Sequence, residues 1–150
     1  MAYYVCYAPY DFARLAEAKT DMFVNDKGNH ECVEFVRKST GAPSSRNWRP
    51  GAAVKGLSEV PQGVAIATFK NKRFSTHAAV NLAQDDRCIW VLDQWNKQGM
   101  VLKRPIRFPN GKEKISPREQ NDGNKYFIID TVDTEEAARE AGEIAKARVI

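Results

Sequence analysis

The chain predicts an α+β fold, and three observations predict it. The first third holds two stretches of helix-forming sequence. Beyond it the chain breaks into short apolar runs at 64–69, 76–82, 88–95, 100–108 and 125–131, separated by turn-forming clusters that read as strand boundaries. The end carries a capping-box pattern, Asp133-Thr134-Glu135-Glu136, leading into an alanine-rich helix to about Ala147. At 150 residues the chain fits one domain over 1–150, without internal repeat, and needs no disulfide or metal staple to bury a core.

Residues 1–10 are aromatic and apolar and read as a short edge strand or an extended segment. Asp11 opens a first helix to about Lys19. Asn25, Asp26, Gly28 and Asn29 form a turn cluster. Asn29 is then the expected N-cap of a second helix running to about Thr40, where Gly41 and Pro43 supply stop signals. Along it Cys32, Phe35, Val36 and Ser39 fall at spacings of three and four, so the sulfur shares a face with the apolar stripe. Residues 42–62, rich in Pro, Gly and Ser, read as a long loop carrying Arg46, Trp48, Arg49 and Lys55. The connections between the following strands are short, which makes at least the first three antiparallel neighbours.

Composition narrows the function classes. A hydrophobic content of 43% with 28% charged residues is that of a soluble globular protein. No apolar run approaches the roughly 20 residues a membrane span needs, and the start carries no recognisable secretory signal. Three cysteines, Cys6, Cys32 and Cys88, are too few for a disulfide framework and leave at least one free thiol in a monomer. Whether Cys6 and Cys88 pair stays open. The net charge of +4 leans mildly toward an anionic partner.

The residue that organises the chain is Cys32. With Asn29 as cap it sits in the first helical turn, among unpaired N–H groups and at the positive end of the helix dipole, a setting that favours a thiolate and offers donors to an oxyanion. A nucleophilic cysteine needs a base and a group that orients the base. His30 lies two residues away, where turn geometry points the side chains apart. His77, at the start of a predicted strand, is the better base. On the following strand Asp93 is a carboxylate on an otherwise apolar face, and a buried charge needs a partner. Asp93 is therefore the expected orienting residue, with Gln94 and Asn81 as alternatives. A metal site built from His30, Cys32, His77 and Asp93 lacks any recognised ligand spacing, so neither metal nor cofactor is expected. Lys70, Lys72, Arg73 and Phe74 form a basic hairpin tip without the aromatic signature of nucleic-acid binders.

These residues resemble a known group. Asn29 to Val36 resembles the nucleophile helix of the CHAP and NlpC-type papain-like cysteine peptidases. Pro61-Gln62-Gly63-Val64-Ala65-Ile66-Ala67 resembles their entry to the first sheet strand, His77-Ala78-Ala79-Val80 their histidine strand, and Ile89 to Trp95 the next strand with its polar orienting residue. More closely, Glu31-Cys32-Val33, Trp48-Arg49-Pro50-Gly51, Ile66-Ala67-Thr68-Phe69, His77-Ala78-Ala79-Val80 and Val91-Leu92-Asp93-Gln94-Trp95 are together similar to the type VI secretion amidase effector 2 family. The similarity spans roughly residues 28–108. Two positions depart from it: Glu31 stands where an Asp often precedes the nucleophile, and Val64 replaces the Asp of the strand entry, so neither takes a catalytic role.

The resemblance implies a papain-like fold and a peptidoglycan amidase that hydrolyses a stem or crosslink peptide bond, with the D-alanine to meso-diaminopimelate crosslink as expected target. It also implies an antibacterial toxin that acts in a rival cell's periplasm and is opposed by a cognate immunity protein; with no secretory signal and no spanning run, the chain is expected to be made in the cytoplasm, to insert in no membrane and to work as a monomer. Trp48, with Arg46 and Arg49, is then the candidate cleft rim, where basic groups receive stem-peptide carboxylates; the alternative is a loop anchored by a buried Trp. A phage or cellular CHAP hydrolase, or an inactive binding module of the same shape, would present the same core residues.

Overall fold

A computed structural model describes residues 4–18, 22–57, 59–109 and 118–132; the helix expected over 133–147 lies outside them. Two α-helices, α1 (Pro9–Ala18) and α2 (Cys32–Thr40), precede a six-stranded antiparallel sheet. Its strands are β1 (Trp48–Ala53), β2 (Ala65–Lys70), β3 (Arg73–Gln84), β4 (Cys88–Asp93), β5 (Leu102–Arg107) and β6 (Tyr126–Thr131), in spatial order β1-β6-β2-β3-β4-β5. The α+β expectation holds. The chain-order neighbours β2 to β5 pair antiparallel, and β6 returns to sit between β1 and β2.

Strand alternation divides the core between the two faces of the sheet. Ala65, Ala67, Ala78, Val80, Leu82 and Leu92 pack with Phe23, Phe35 and Val36. Ile66, Ala79, Ile89, Val91, Ile106, Tyr126 and Ile128 form the other cluster with Val54 and Val60. Small residues on β2 and β3 let α2 approach closely, and fully burying Phe35 there contributes roughly 2–3 kcal/mol. The β2–β3 hairpin turns at Asn71 and Lys72, both at positive φ, the conformation a two-residue hairpin loop with right-handed twist demands.

Three local expectations are corrected. The long loop at 42–62 contains β1. Pro50 and Gly51 hide this strand, yet β1 is at the sheet edge, where a missing N–H is tolerated and the register shifts between Pro50 and Ala53. Gly51 is required by close approach, since a Cβ there would meet the Ile128 carbonyl oxygen at 2.8 Å. Helix α2 starts at Cys32 with Glu31 in the cap position. Asn29 instead closes the preceding turn, where its N–H donates to Asn25 Oδ1. The β3 strand begins at Arg73, so His77 lies inside it. Segment 4–6 is extended and adds to the sheet through the Val5–Val64 bridge.

Candidate active site

Cys32 is the first residue of α2. The first-turn N–H groups of a helix lack intrahelical acceptors, so they surround the sulfur with donors. What holds this helix start is Gln94. Its buried amide Nε2 donates to the carbonyl of Glu31 at 2.9 Å and to that of Phe23 at 3.0 Å. Gln94 therefore does not orient the histidine; it ties the residue before Cys32 to the end of β4. Asn81 is also excluded from that role, because its amide donates to the carbonyls of Val60 and Pro61.

His77 is brought to the site by an irregularity in the ladder. Between the pairs Ala67–Ala78 and Phe69–Phe74, β2 has the single residue Thr68 while β3 has three. The Thr68 hydroxyl replaces the missing ladder partner: it accepts from the N–H groups of Thr76 and His77, both at 3.0 Å. Such bulges re-aim a side chain at the edge of a site. Nothing in the sequence marks Thr68 for this, since a threonine in a strand is ordinary. Continuing the Val80–Leu92 register puts Asp93 opposite Ala79, whose methyl leaves room for the diagonal contact with His77.

That contact is direct. His77 Nε2 donates to Asp93 Oδ2 at 2.7 Å, with the carboxylate fully buried and the histidine 4% exposed. His77 also hydrogen-bonds Cys32; with Nε2 committed to Asp93, Nδ1 is left to face the sulfur. Burial pulls the imidazole down, but the hydrogen bonds to Asp93 and Cys32 outweigh it and push His77 up to about 9. Arg104 Nε gives Asp93 Oδ2 a second bond at 2.6 Å. The three residues chosen from the sequence as nucleophile, base and orienting group thus meet, while His30 does not line the cleft.

The cleft above them has a volume of ≈ 610 Å³ and is walled by Glu31, Cys32, Val33, Phe74, Thr76, His77, Trp95, Asn96, Lys97, Arg104, Arg118, Gln120 and Asn121. The 3₁₀ turn Glu119–Asn121 is fixed to the bulge, where Glu119 Oε1 accepts from the hydroxyls of Thr76, at 3.0 Å, and Ser75. Among the described residues no group of three or more His, Cys, Asp or Glu is arranged to hold a metal, and no helix is long and apolar enough to cross a membrane. Cys6 and Cys88 are buried free thiols, unpaired with each other, and burial pushes both up.

The model of the "Domesticated amidase effector 2" family matches residues 11–129. The chain belongs to this family. It is similar to the type VI secretion amidase effector 2 protein of Salmonella typhi, 36% identical over 77% of this chain and 96% of that protein. It is also similar to the domesticated amidase effector 2 of Ixodes scapularis, 31% identical over 67% of this chain and 70% of that protein. Among solved structures it resembles type 6 secretion amidase effector 2, with a TM-score of 0.63 and 34% identity over 79% of this chain and 94% of that one. The papain-like fold follows from that likeness.

In this member of the amidase effector 2 family the residues expected at the rim lie elsewhere. Trp48 is fully buried, donates from its indole N–H to the Pro43 carbonyl at 2.9 Å, and packs edge-on against Phe74 with centroids 5.1 Å apart. Its large apolar area makes it an anchor beneath a cleft wall rather than a contact surface. Arg46 and Arg49 are not among the cleft-lining residues; the Arg46 carbonyl accepts from Arg49 and Arg73 at 3.2 and 3.4 Å. The cleft's cations are Lys97, Arg104 and Arg118, facing one carboxylate, Glu31. These cations stand on segments after the strand carrying Asp93, where the sequence offers basic residues but no sign of which face inward.

Proposed function

We propose that the chain is a peptidoglycan amidase that cleaves a peptide bond by a Cys32–His77–Asp93 mechanism. The observation that carries this reading is the buried 2.7 Å His77–Asp93 bond together with a cysteine at the first residue of a helix, Cys32 and His77 lining the same cleft. The Cys32 proton rests on His77 Nδ1, in keeping with an imidazole pushed up to about 9, and the thiolate attacks the scissile carbonyl carbon. The developing oxyanion is received by first-turn N–H groups of α2. His77 then returns the proton to the leaving amine, and a thioester remains on Cys32. Water activated by His77 hydrolyses that thioester, restoring the thiol and releasing the acid. Asp93 keeps Nε2 protonated throughout, so Nδ1 is the nitrogen that exchanges protons.

The substrate class follows from the names of the relatives and from the charge of the cleft. Both relatives are named amidase effectors, and Lys97 and Arg118 line the cleft besides the Asp93-bound Arg104, a charge balance that suits a carboxylate-bearing stem peptide. The expected bond is the D-alanine to meso-diaminopimelate crosslink. Delivery through type VI secretion into a rival's periplasm, neutralisation by a cognate immunity protein and action as a single-domain monomer complete the proposal. The test is digestion of purified peptidoglycan with mass spectrometry of the muropeptides. Wild type should yield uncrosslinked products whose masses name the bond, and Cys32→Ala none; equal profiles from the two would leave only a binding module.

A further inference from the structure

The Asp93 carboxylate is shared between two donors. Oδ2 accepts from His77 Nε2 at 2.7 Å and from Arg104 Nε at 2.6 Å. Oδ1, also buried, has no hydrogen-bond partner among the described residues. The whole orienting function therefore converges on one oxygen of a side chain cut off from water. A buried charge must be compensated at every stage of a reaction. In cysteine–histidine chemistry the imidazole gains a proton and then gives it up, so its charge comes and goes. An arginine keeps its charge throughout.

Arg104 is itself fixed. Its guanidinium lies over the Trp95 ring, 4.9 Å from the centroid, and the same indole meets the His77 ring edge-on at 6.2 Å between centroids. Trp95 thus spaces both donors around the carboxylate. We propose that Arg104 is a positioning residue, holding Asp93 charge-compensated and aimed at His77 Nε2 while the imidazole cycles between its protonation states. This rests on the reading of His77 as the base.

The charged and titratable groups around His77 come from every neighbouring element. Cys32 faces it from α2, Asp93 from β4, and Arg104 reaches the pair from β5. Tyr126 on β6, whose phenol burial holds far above its usual range, interacts with Arg104, Asp93 and Cys32, and Glu119 is bonded to the adjacent Thr76. Glu31, Lys97 and Arg118 line the same cleft. Among the described residues Arg104 is the permanent cation that bonds the carboxylate.

The chain has two histidines, so a His30→Gln background leaves a single imidazole to follow by NMR titration. Arg104→Gln should raise the His77 midpoint by about one unit, because losing a nearby cation favours the imidazolium. Arg104→Lys should stay close to the parent. With substrate, kcat should fall about tenfold or more in the glutamine variant and KM should change little, with partial recovery in the lysine variant. An unmoved or lowered midpoint overturns the proposal, and so does a raised KM at unchanged kcat, which would make the guanidinium a substrate contact. Arg104→Met, which keeps the apolar stem on Trp95, gives the same readings where the glutamine variant does not fold. The titration needs no substrate, so its failure is separable from failure to cut peptidoglycan.

Discussion

Asp93 concentrates the chemistry of the site at the scale of one residue. It is fully buried, and the same oxygen binds His77 and Arg104. Asp93→Asn should lower turnover by roughly 10²-fold or more, because an amide can present N–H to the imidazole and invert its tautomer. It should also cost about 3 kcal/mol of stability, since the buried ion pair loses one partner; paired turnover assays and urea melts would measure both. That Cys32, His77 and Asp93 would come together could be read from the order helix start, histidine strand, carboxylate on an apolar face. Arg104 could not. Its strand, Leu102–Arg107, carries several basic residues, and nothing in their spacing tells which one turns inward against Trp95. Trp48 misled for a related reason: an aromatic in a Pro/Gly-rich stretch reads equally as a rim or as a buried anchor, and only its indole bond to Pro43 decides.

At the scale of elements, two polar side chains fix the segments that carry Cys32 and His77. Gln94 fastens the residue before Cys32 to β4, and Thr68 replaces ladder bonds beneath His77. Thr68→Val keeps the shape but strands two N–H groups. It should therefore cost about 2 kcal/mol and reduce kcat more than KM, as thermal melts and initial rates on peptidoglycan fragments would report. Helix α2 was legible because its apolar stripe and the αL stop at Gly41, φ 78°, are both local signals. Strand β1 was not, since Pro50 and Gly51 oppose a strand locally and only pairing with β6 overrides them. Gly51→Ala should cost about 2 kcal/mol, through its Cβ crowding the Ile128 carbonyl; a melt within experimental error of wild type would remove that explanation of the glycine.

For the whole molecule, the coupling of the site to stability has a definite sign. His77 titrates near 9 in the fold against an ordinary value of 6.5. A group raised on folding stabilises the folded form when protonated, so its contribution is fully present below about 6.5 and is lost as pH rises through about 9. The melting temperature should fall across that window in wild type, and less steeply in His77→Gln. In the proposed mechanism the same titration should set the alkaline limit of activity, because there the imidazolium protonates the leaving amine. The likeness to a solved amidase effector covers 94% of that chain and shows the papain-like fold that carries His77.

The account turns on Cys32 as the attacking atom, and the chain allows a direct test. Cys6 and Cys88 are buried, whereas Cys32 is partly exposed and lines the cleft. Treatment of the folded protein with iodoacetamide, followed by peptide mapping and muropeptide assay, should find one alkylated residue, Cys32, with cleavage lost in proportion to its modification. Protein fully alkylated at Cys32 that still releases muropeptides would contradict the account.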